Sequence, residues 1–542
     1  MQMSVTALKK RIEKAWNETD QWRSYLDDAY KLAAPGRNRF GGTRTPGDQP
    51  GNEVFDSTLM SATNRFANRL QAELYPAFQE WVKLTPDKPV DTLEEDEQRQ
   101  IAIEAEVATA LVFATIGGSN FSTIINPVLI DLAFGQAAIH VDDTPIESDQ
   151  LLEFVAVNPA DLAFDCGPHG ATWGIFRRHR LPAWLVEKTW QKADVPDTPE
   201  WRDKVEKSMT GDVEVDVDEA CYYCSKDGVW HTDILLNSDP ANRATPLRIL
   251  GTKRKQCRWI VPRWSHITGE SRGRGPVLQA LPEAKSLNKA KELLLINGSF
   301  QIHPAQTYLD DGVFNPGNFS LIPGSLTPVG YNSGARGATI QKLDVGGDLH
   351  LTQFIFEDMQ MSIKKIMLDD QLPPEQGAVR SATEWNARQQ ELANNIGAPF
   401  GRIFHELTRP LIEVVLDILR DRGILEKHIS IKGKLFDLKV TSPFAQAQNV
   451  NEVGAMAHFL ELAGLYLAPE EYEQYIKKPS ITSYFAQRLG LPLEETVYTA
   501  AEVEQKKAEE QQQAAAMMAA EQQAEIAKEE VKRSDGEGAQ QG

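Results

Sequence analysis

The stretch Gly273 to Asn297, GRGPVLQALPEAKSLNKAKELLLIN, is the strongest structural signal in this chain. Proline fits the first turn of a helix, so Pro276 marks a helix start. Apolar residues then recur at gaps of three and four, the spacing of one helix face. They are Val277, Leu281, Ala284, Leu287, Ala290 and Leu294. The sequence therefore predicts one amphipathic helix, roughly 33 Å long at about 1.5 Å per residue. Its polar face includes Lys285, Lys289 and Lys291.

Upstream of this stretch, the same periodicity predicts four helices. They run from Val5 to Ala33, from Ser57 to Tyr75, from Thr92 to Thr115 and from Phe121 to Phe134. Residues 135–141 then read as a strand. Residues 151–262 change to alternating strands and turns, including a hairpin that turns at Asp227-Gly228. Within that block, only Pro182 to Lys192 is predicted to be helical.

Downstream, a helix from Leu349 to Leu368 breaks at a proline-rich loop, Asp369 to Gly377. The next helix opens with Ser381-Ala382-Thr383-Glu384, a capping box in which serine and glutamate satisfy each other's backbone donors. Pro399 and Pro410 predict kinks in it. Shorter helices follow, and beyond residue 500 an Ala/Gln/Glu-rich helix ends in a disordered tail. The predicted fold class is mainly α with an inserted β-rich region, or α+β.

Composition and charge limit the possible classes of protein. The 542 residues carry a net charge of -20, with 41% hydrophobic and 25% charged residues, as in ordinary soluble proteins. No run of 18 apolar residues occurs, so we expect no membrane insertion. Four cysteines favour a reducing compartment over a disulfide scaffold. Because a protein that grips DNA is usually basic, this chain either never meets DNA or meets it without holding it.

Motifs for catalysis or cofactor binding are missing from the sequence. No G-x-x-x-x-G-K-[ST] loop occurs, and Gly273-Arg274-Gly275-Pro276 does not fit a dinucleotide fingerprint. Cys221 and Cys224 are the nearest approach to a zinc site, with His231 and Cys257 as the closest further ligands. Residues three apart on a strand face opposite sides, so Cys221 and Cys224 should not bind one metal ion together. We therefore interpret them as two small apolar residues in a hairpin. We expect no catalytic residue, no cofactor and no bound metal.

Two basic clusters flank the strand-rich block, Arg177-Arg178-His179-Arg180 and Lys253-Arg254-Lys255. On a chain this acidic, such clusters mark a subunit interface or a solvated edge more often than a DNA groove. The scattered histidines have no spacing that pairs them with cysteine or serine, which favours structural roles for them.

Several motifs, taken in order, resemble the portal, or head-to-tail connector, family of short-tailed bacteriophages. Phe66-Ala67-Asn68-Arg69-Leu70, then Leu74-Tyr75-Pro76, then Trp81-Val82-Lys83-Leu84 are similar to the family's helix, its leucine–aromatic–proline corner and the strand after it. Phe134-Gly135-Gln136-Ala137 resembles its helix-to-strand step. Gly273-Arg274-Gly275-Pro276 leads into a long helix, as the family's stem does after its clip region.

The loop from Asp369 to Arg380 and the helix that follows resemble the family's channel loop and the helix after it. The family carries an Arg-x-Thr/Ala-x-Glu pattern there, and the corresponding run, Arg380 to Glu384, places the glutamate four residues after the arginine. The likeness covers most of residues 50 to 440.

This resemblance implies the portal fold, with wing, stem, clip and crown regions around a DNA channel. The implied regions are 1–165 (N-terminal part of the wing), 166–268 (β-rich clip with its flanking segments), 269–299 (stem helix), 300–367 (wing), 368–380 (channel loop), 381–440 (long kinked wing helix and following strand), 441–500 (crown) and 501–542 (helical and then disordered tail).

The resemblance also implies a role and partners. The chain would form a ring of twelve subunits at one capsid vertex of the virion, assembled in the host cytoplasm with major capsid and scaffolding proteins. A terminase motor would package double-stranded DNA through the ring, and tail or adaptor proteins would bind it before ejection. Twelve copies at -20 would together carry about -240, which repels phosphates and lets DNA slide.

Candidate residues follow from the same resemblance. The channel-loop candidates are Gln371, Pro373, Pro374, Glu375, Gln376, Gly377 and Arg380, and the possible channel-facing stem residues are Lys285, Lys289 and Lys291. Two other classes of protein remain as alternatives. A nuclease or hydrolase of a DNA-packaging machine would need clustered metal-binding carboxylates on strands, and these are missing. A cytoplasmic helical scaffold would not explain a proline-rich loop between two long helices.

Overall fold

A computed structural model of the chain describes residues 2–42, 47, 51–77, 79–86, 95–142, 150–190, 193–195, 198–211, 213–237, 246–302, 306–308, 340–342, 349–369, 399–425, 436–441 and 443–466. The chain forms two compact units, Met1–Ser442 and Pro443–Gly542. The described part of the second unit is the helix Pro443–Tyr466.

Helices account for most of the described residues, with bounds set by the apolar periodicity and by caps. They are α1 (Val5–Ala33), α2 (Thr58–Leu74), α3 (Glu95–Gly117), α4 (Phe121–Ala133), α5 (Ala183–Thr189), α6 (Pro199–Thr210), α7 (Pro276–Ile302), α8 (Leu349–Ile366), α9 (Arg409–Asp421) and α10 (Pro443–Tyr466). None of them is by itself long and apolar enough to span a bilayer; residues 104–117 and α4 meet that criterion only together, across a bend of 81°.

Within the described residues, the strands form four antiparallel sheets. The strands are β1 (Val82–Pro86), β2 (Ile139–Asp142), β3 (Glu153–Ala156), β4 (Leu162–Cys166), β5 (Thr172–Pro182), β6 (Glu214–Cys224), β7 (Val229–Leu236), β8 (Leu247–Arg254), β9 (Trp259–Ile260), β10 (Gln306–Tyr308), β11 (Ile340–Lys342) and β12 (Phe436–Val440). Their orders are β1-β12, β10-β11, β3-β2-β9 and β4-β5-β6-β7-β8. The last is a meander in which each strand pairs with the next. A tight turn joins β6 to β7, whereas α5 and α6 lie in the connection from β5 to β6.

The five-stranded sheet packs against α1. Leu8, Ile12, Ala15 and Trp16 of the helix share one core with side chains of β4 to β7. Burying this helix stripe against the sheet removes apolar surface from water, which is the main stabilising term for such a contact. The start of the chain is bonded to the same sheet, since Gln2 Nε2 donates to Asp233 Oδ1 at 2.7 Å. Helix α1 and the sheet are therefore one structural unit.

A close backbone approach fixes the start of α7. An added Cβ at Gly275 would lie 2.1 Å from the carbonyl oxygen of Ala133, and one at Gly273 would lie 2.2 Å from that of Gly135. Gly135 itself has φ +125°, a conformation that glycine alone adopts without strain. The glycines of the two sequence motifs therefore meet each other, and only residues without a side chain fit there.

Most sequence-predicted elements are present, and the mixed α and β composition is confirmed. The first helix has the predicted bounds, and the predicted hairpin is the β6–β7 pair, in which Cys224 lies opposite Val229. The prediction of a single helix within residues 151–262 is wrong, because α6 is a second one. Only Trp201 and Ser208 of α6 are buried, so no apolar stripe reveals it.

The kinked helix near Pro399 and Pro410 takes a more specific form. A π-helical turn, Phe404–Thr408, immediately precedes α9, and Pro410 lies in the first turn of α9. Proline lacks a backbone N–H, so a wider turn just before it accommodates the missing hydrogen bond. The predicted boundary between residues 165 and 166 falls inside β4.

Candidate functional site: the α7–α8 helix pair

Helix α7 has two unlike halves. Its first half is packed in the core through Val277, Leu281, Ala284 and Leu287, as the sequence stripe predicts. In its second half Leu293, Leu295 and Ile296 are exposed, Leu295 by 61%. Three large apolar side chains in four residues are unusual on a surface that faces only water.

Helix α8 packs against α7 and shows the same feature. Phe356, Ile363 and Met367 are buried, while Phe354 is 72% exposed and Met361 is 62% exposed. Of the predicted α8 stripe, Ile363 is buried and Ile355 is exposed. One side of the α7–α8 pair is apolar and packs against the rest of the chain. The pair also carries exposed apolar residues, which no described residue covers.

Asp56, just before α2, joins this pair to the subunit. Its Oδ2 lies 2.5 Å from Lys291 Nζ of α7 and accepts a 3.0 Å hydrogen bond from Gln360 Nε2 of α8. Its Oδ1 accepts from the backbone N–H of Thr58 at 2.9 Å. Partial burial opposes ionisation, yet the bonds from Lys291 and Thr58 hold the pKa of Asp56 below its ordinary value. A buried carboxylate therefore fixes α7 and α8 to the head of α2.

Asn288 and Ser362 add further bonds to this arrangement. Asn288 Oδ1 accepts from the backbone N–H of Phe55 at 2.7 Å, and Ser362 Oγ donates to Glu283 Oε2 at 2.8 Å. The first bond ties α7 to the segment before α2, and the second links α8 to α7. Both are direct polar contacts on a pair that also exposes several large apolar side chains.

The three lysines predicted to face a channel are all paired with carboxylates of the same chain. Lys285 Nζ lies 2.5 Å from Asp28 Oδ2 of α1, and Lys289 Nζ lies 2.8 Å from Glu292 Oε2. Lys291 is bound to Asp56. An open cleft of about 960 Å³ between α1 and α7 is lined by three basic residues (Lys31, Lys285, Lys289) and three acidic residues (Asp28, Glu53, Glu292). Such a balanced lining offers little net attraction for phosphate.

The predicted channel loop begins at a tightly held point. Leu368 has φ +56° and ends α8 in a left-handed turn, in which the backbone N–H of Asp369 donates to Lys364 O at 2.8 Å. Arg69 of α2 donates to Leu368 O at 2.9 Å, and Arg65 contacts Asp369 at 3.1 Å. The loop candidates from Gln371 to Arg380, and the capping box at Ser381, lie outside the described residues.

The cluster from Arg177 to Arg180 is neutralised within the subunit. Arg178 lies 3.6 Å from Asp218, and Arg180 lies 3.2 Å from Asp216, both on the neighbouring strand β6. His179 Nε2 lies 3.0 Å from Glu219 Oε2. Each of these three side chains has a carboxylate partner on β6, which lowers the net positive charge of this part of β5.

Glu219 connects two of the histidines. It lies within 3.0 Å of His179 and 3.9 Å of His140, and Trp259 Nε1 donates to it at 3.2 Å. Burial opposes protonation of His140, but Asp142 at 3.2 Å and Glu219 together raise its pKa. Both histidines have carboxylate partners, in agreement with the structural role predicted for them.

The cysteines of the hairpin point to opposite faces, as the strand periodicity predicts. Cys221 Sγ is buried 3.5 Å from Cys257 Sγ. Cys224 instead lies near Asp227 and His231. The sequence pointed to Cys224 and His231 as possible ligands but not to Asp227, whose approach depends on how the hairpin turns.

Exposed apolar residues on a helix pair that buried polar bonds hold in place are typical of a surface that packs against another protein. The chain matches the family described as bacteriophage head to tail connecting protein over residues 5–497, and it belongs to that family. This confirms the resemblance found in the sequence. A connecting protein is a structural part of a phage-type particle and not an enzyme, as predicted.

Two solved structures are similar to the chain over most of their length. A chain of the virion of a native gene transfer agent particle aligns with a TM-score of 0.37 and 11% identity, covering 83% of this chain and 96% of that one. A chain of the neck of an empty gene transfer agent particle, computed with C6 symmetry, aligns with a TM-score of 0.33, 11% identity and the same coverage. Comparison with curated proteins gives no match.

Proposed function

We propose that the chain is the portal subunit of a phage-type particle. Copies of it form a ring, of twelve subunits as the resemblance implies, at one capsid vertex. DNA enters through the ring during packaging by a terminase motor and leaves through it at ejection, and tail or adaptor proteins attach to it. The ring assembles in the host cytoplasm with capsid and scaffolding proteins and stays in the virion.

The exposed apolar residues of α7 and α8 carry this proposal. Burying apolar surface gains about 25 cal/mol per Å², and a side chain such as phenylalanine contributes about 1.5 to 3 kcal/mol. Leu293 and Leu295 of one copy gain that energy when they pack against Phe354 and Met361 of the next copy, a contact between two different surfaces. Repeating such a contact around an axis closes a ring.

Charge supports DNA passage without tight binding. The net charge of -20 repels phosphates, and the pairing of Lys285, Lys289 and Lys291 with carboxylates limits their pull on DNA. We propose that these lysines line the channel wall as weak, already neutralised contacts. The loop 368–380 projects into the channel from the fixed point at Leu368.

The named regions belong to the same proposal. Residues 269–299 form the stem, residues 300–367 and 381–440 belong to the wing, and residues 441–500 form the crown. The core that α1 shares with β4 to β7 favours including that sheet in the wing rather than in a separate clip at 166–268. The unit boundary at Ser442 lies close to the proposed start of the crown.

Two variants with matched chemistry test the ring. Met361→Glu places a charge on the exposed face of α8, and Met209→Glu places one on α6, where the methionine is 68% exposed. We expect annular particles in negative-stain images and a ring-sized species in sedimentation for wild type and Met209→Glu. Met361→Glu should stay monomeric or form rings only at concentrations at least tenfold higher. A wild-type chain that sediments as a monomer at all concentrations and salts would contradict the proposal.

A further inference from the structure

At the turn of the β6–β7 hairpin, three side chains place their metal-binding atoms close together. The thiol of Cys224, the carboxylate of Asp227 and the imidazole of His231 all lie within 4.8 Å of one another. His231 Nε2 is 3.7 Å from Asp227 Oδ2. The grouping follows from the register, because Cys224 pairs with Val229 and Tyr222 pairs with His231, so Cys224 and His231 share a face. The turn at Gly228, with φ +66°, brings Asp227 back towards them.

His231 is an unusual member of this grouping. Its side chain is fully buried, and neither ring nitrogen makes a hydrogen bond to any described residue. A buried polar group without a partner costs about 1 to 3 kcal/mol. Its ring stacks on that of Tyr222 with centroids 5.4 Å apart and planes 8° apart. Tyr222 is itself fixed, since its hydroxyl donates to Asp233 at 3.0 Å. The imidazole is therefore held in place with its nitrogens unsatisfied.

We propose that Cys224, Asp227 and His231 form a zinc site that closes the tip of the β6–β7 hairpin. Sulfur, oxygen and nitrogen ligands together are those of Zn²⁺, and tetrahedral coordination at ordinary bond lengths places ligand atoms about 3.3 to 3.7 Å apart. The observed 3.7 Å between Asp227 and His231 meets this spacing, and the remaining separations need small side-chain shifts. Water occupies the fourth position. The bound ion would satisfy His231 and link the ends of two strands. This proposal replaces the sequence-based expectation of no metal, and it does not depend on ring formation.

The test uses the full-length chain, stripped with a chelator and dialysed in the presence of a non-thiol reductant. Equilibrium dialysis against Zn²⁺ alone measures the bound ion, and Co²⁺ is a spectroscopic probe because cobalt–thiolate bonds absorb in the near ultraviolet. The variants are Cys224→Ser, Asp227→Asn and His231→Gln. Cys166→Ser, another partly buried free cysteine, is the matched control.

We expect one zinc per chain in wild type and in Cys166→Ser, with a thiolate band in the cobalt complex. Cys224→Ser should lose the band, and each site variant should weaken zinc binding by more than about tenfold. The proposal is wrong if wild type binds no stoichiometric zinc, if the cobalt complex lacks the thiolate band, or if Cys224→Ser binds as tightly as Cys166→Ser. Should His231→Gln misfold, Cys224→Ser and Asp227→Asn still decide the outcome, since neither residue is fully buried.

Discussion

Lys291 of α7 places its ammonium group 2.5 Å from a carboxylate oxygen of Asp56, which lies two residues before α2. The Asp56 side chain is 4% exposed, and the same carboxylate binds α8 through Gln360. One buried charge thus fixes the position of both helices whose outer surfaces we assign to contacts between subunits.

Replacing Asp56 with asparagine should destabilise the subunit. The buried ion pair is lost, and because Lys291 is one-third exposed and can regain water, we expect a loss of about 1 to 2 kcal/mol in the free energy of unfolding. Glu292→Gln, which removes the partner of the exposed Lys289, is the control and should cost less than about 0.5 kcal/mol. Urea unfolding measures both. Equal losses in the two variants would show that Asp56 has no special role.

The effect of Asp56 should also depend on pH. Its folded pKa is below the ordinary value, so its ionised form stabilises the fold above the unfolded pKa of about 3.9. That stability is lost as the pH falls through the folded pKa. The difference between wild type and Asp56→Asn should therefore be full at pH 6 and shrink below about pH 4.

His140 should give a pH dependence of opposite sign. Its pKa is raised in the folded state, so the stability contributed by protonated His140 is present below the unfolded pKa of about 6.5. It is lost as the pH rises through the folded pKa. The difference in thermal midpoint between wild type and His140→Gln should shrink from pH 6 to pH 9. His458→Gln, at an exposed histidine of α10, is the control substitution.

Replacing glycine with alanine should change the stability of the protein differently at two positions, one just before α7 and one within it. Gly275→Ala puts a Cβ 2.1 Å from a backbone oxygen, and the backbone shift should cost about 2 to 3 kcal/mol. Gly298→Ala, in open space on the same helix, should be neutral or stabilise by up to about 1 kcal/mol. Thermal unfolding of the two variants compares them directly. A stable Gly275→Ala protein would disprove the close approach to α4.

The loop after α8 should act on DNA and not on assembly. The sequence from Gln371 to Gly377 carries no apolar stripe. We therefore expect its deletion to leave rings in normal yield and to cause a failure to package or retain DNA. A second variant replaces the same residues with a Gly/Ser segment of equal length. It keeps the length of the loop but removes the stiffness that Pro373-Pro374 gives the backbone, so the two effects can be told apart. If the deletion packages and retains a full genome, the loop has no channel role.

Long periodic elements could be predicted from sequence, while isolated polar contacts could not. In helix α1 and in the β6–β7 hairpin, many residues repeat the same spacing. Each of those residues adds to the evidence for the same element. Helix α6 buries only Trp201 and Ser208, and its remaining signal was the cap Thr198-Pro199. Asp56 lies in a loop and meets Lys291 far along the chain. No local pattern encodes that contact, although an aspartate just before Ser57-Thr58 is typical of a helix start.

The contact between the first residues and the five-stranded sheet has a consequence for synthesis on the ribosome. Gln2 and its partner Asp233 are 231 positions apart. At about 5 to 20 residues per second, the sheet strand that completes the contact emerges on the order of ten to forty seconds after α1. During that interval the core around Leu8, Ile12 and Trp16 is incomplete, because its partners come from β4 to β7 and emerge one strand after another, so nascent α1 is a natural substrate for holding chaperones.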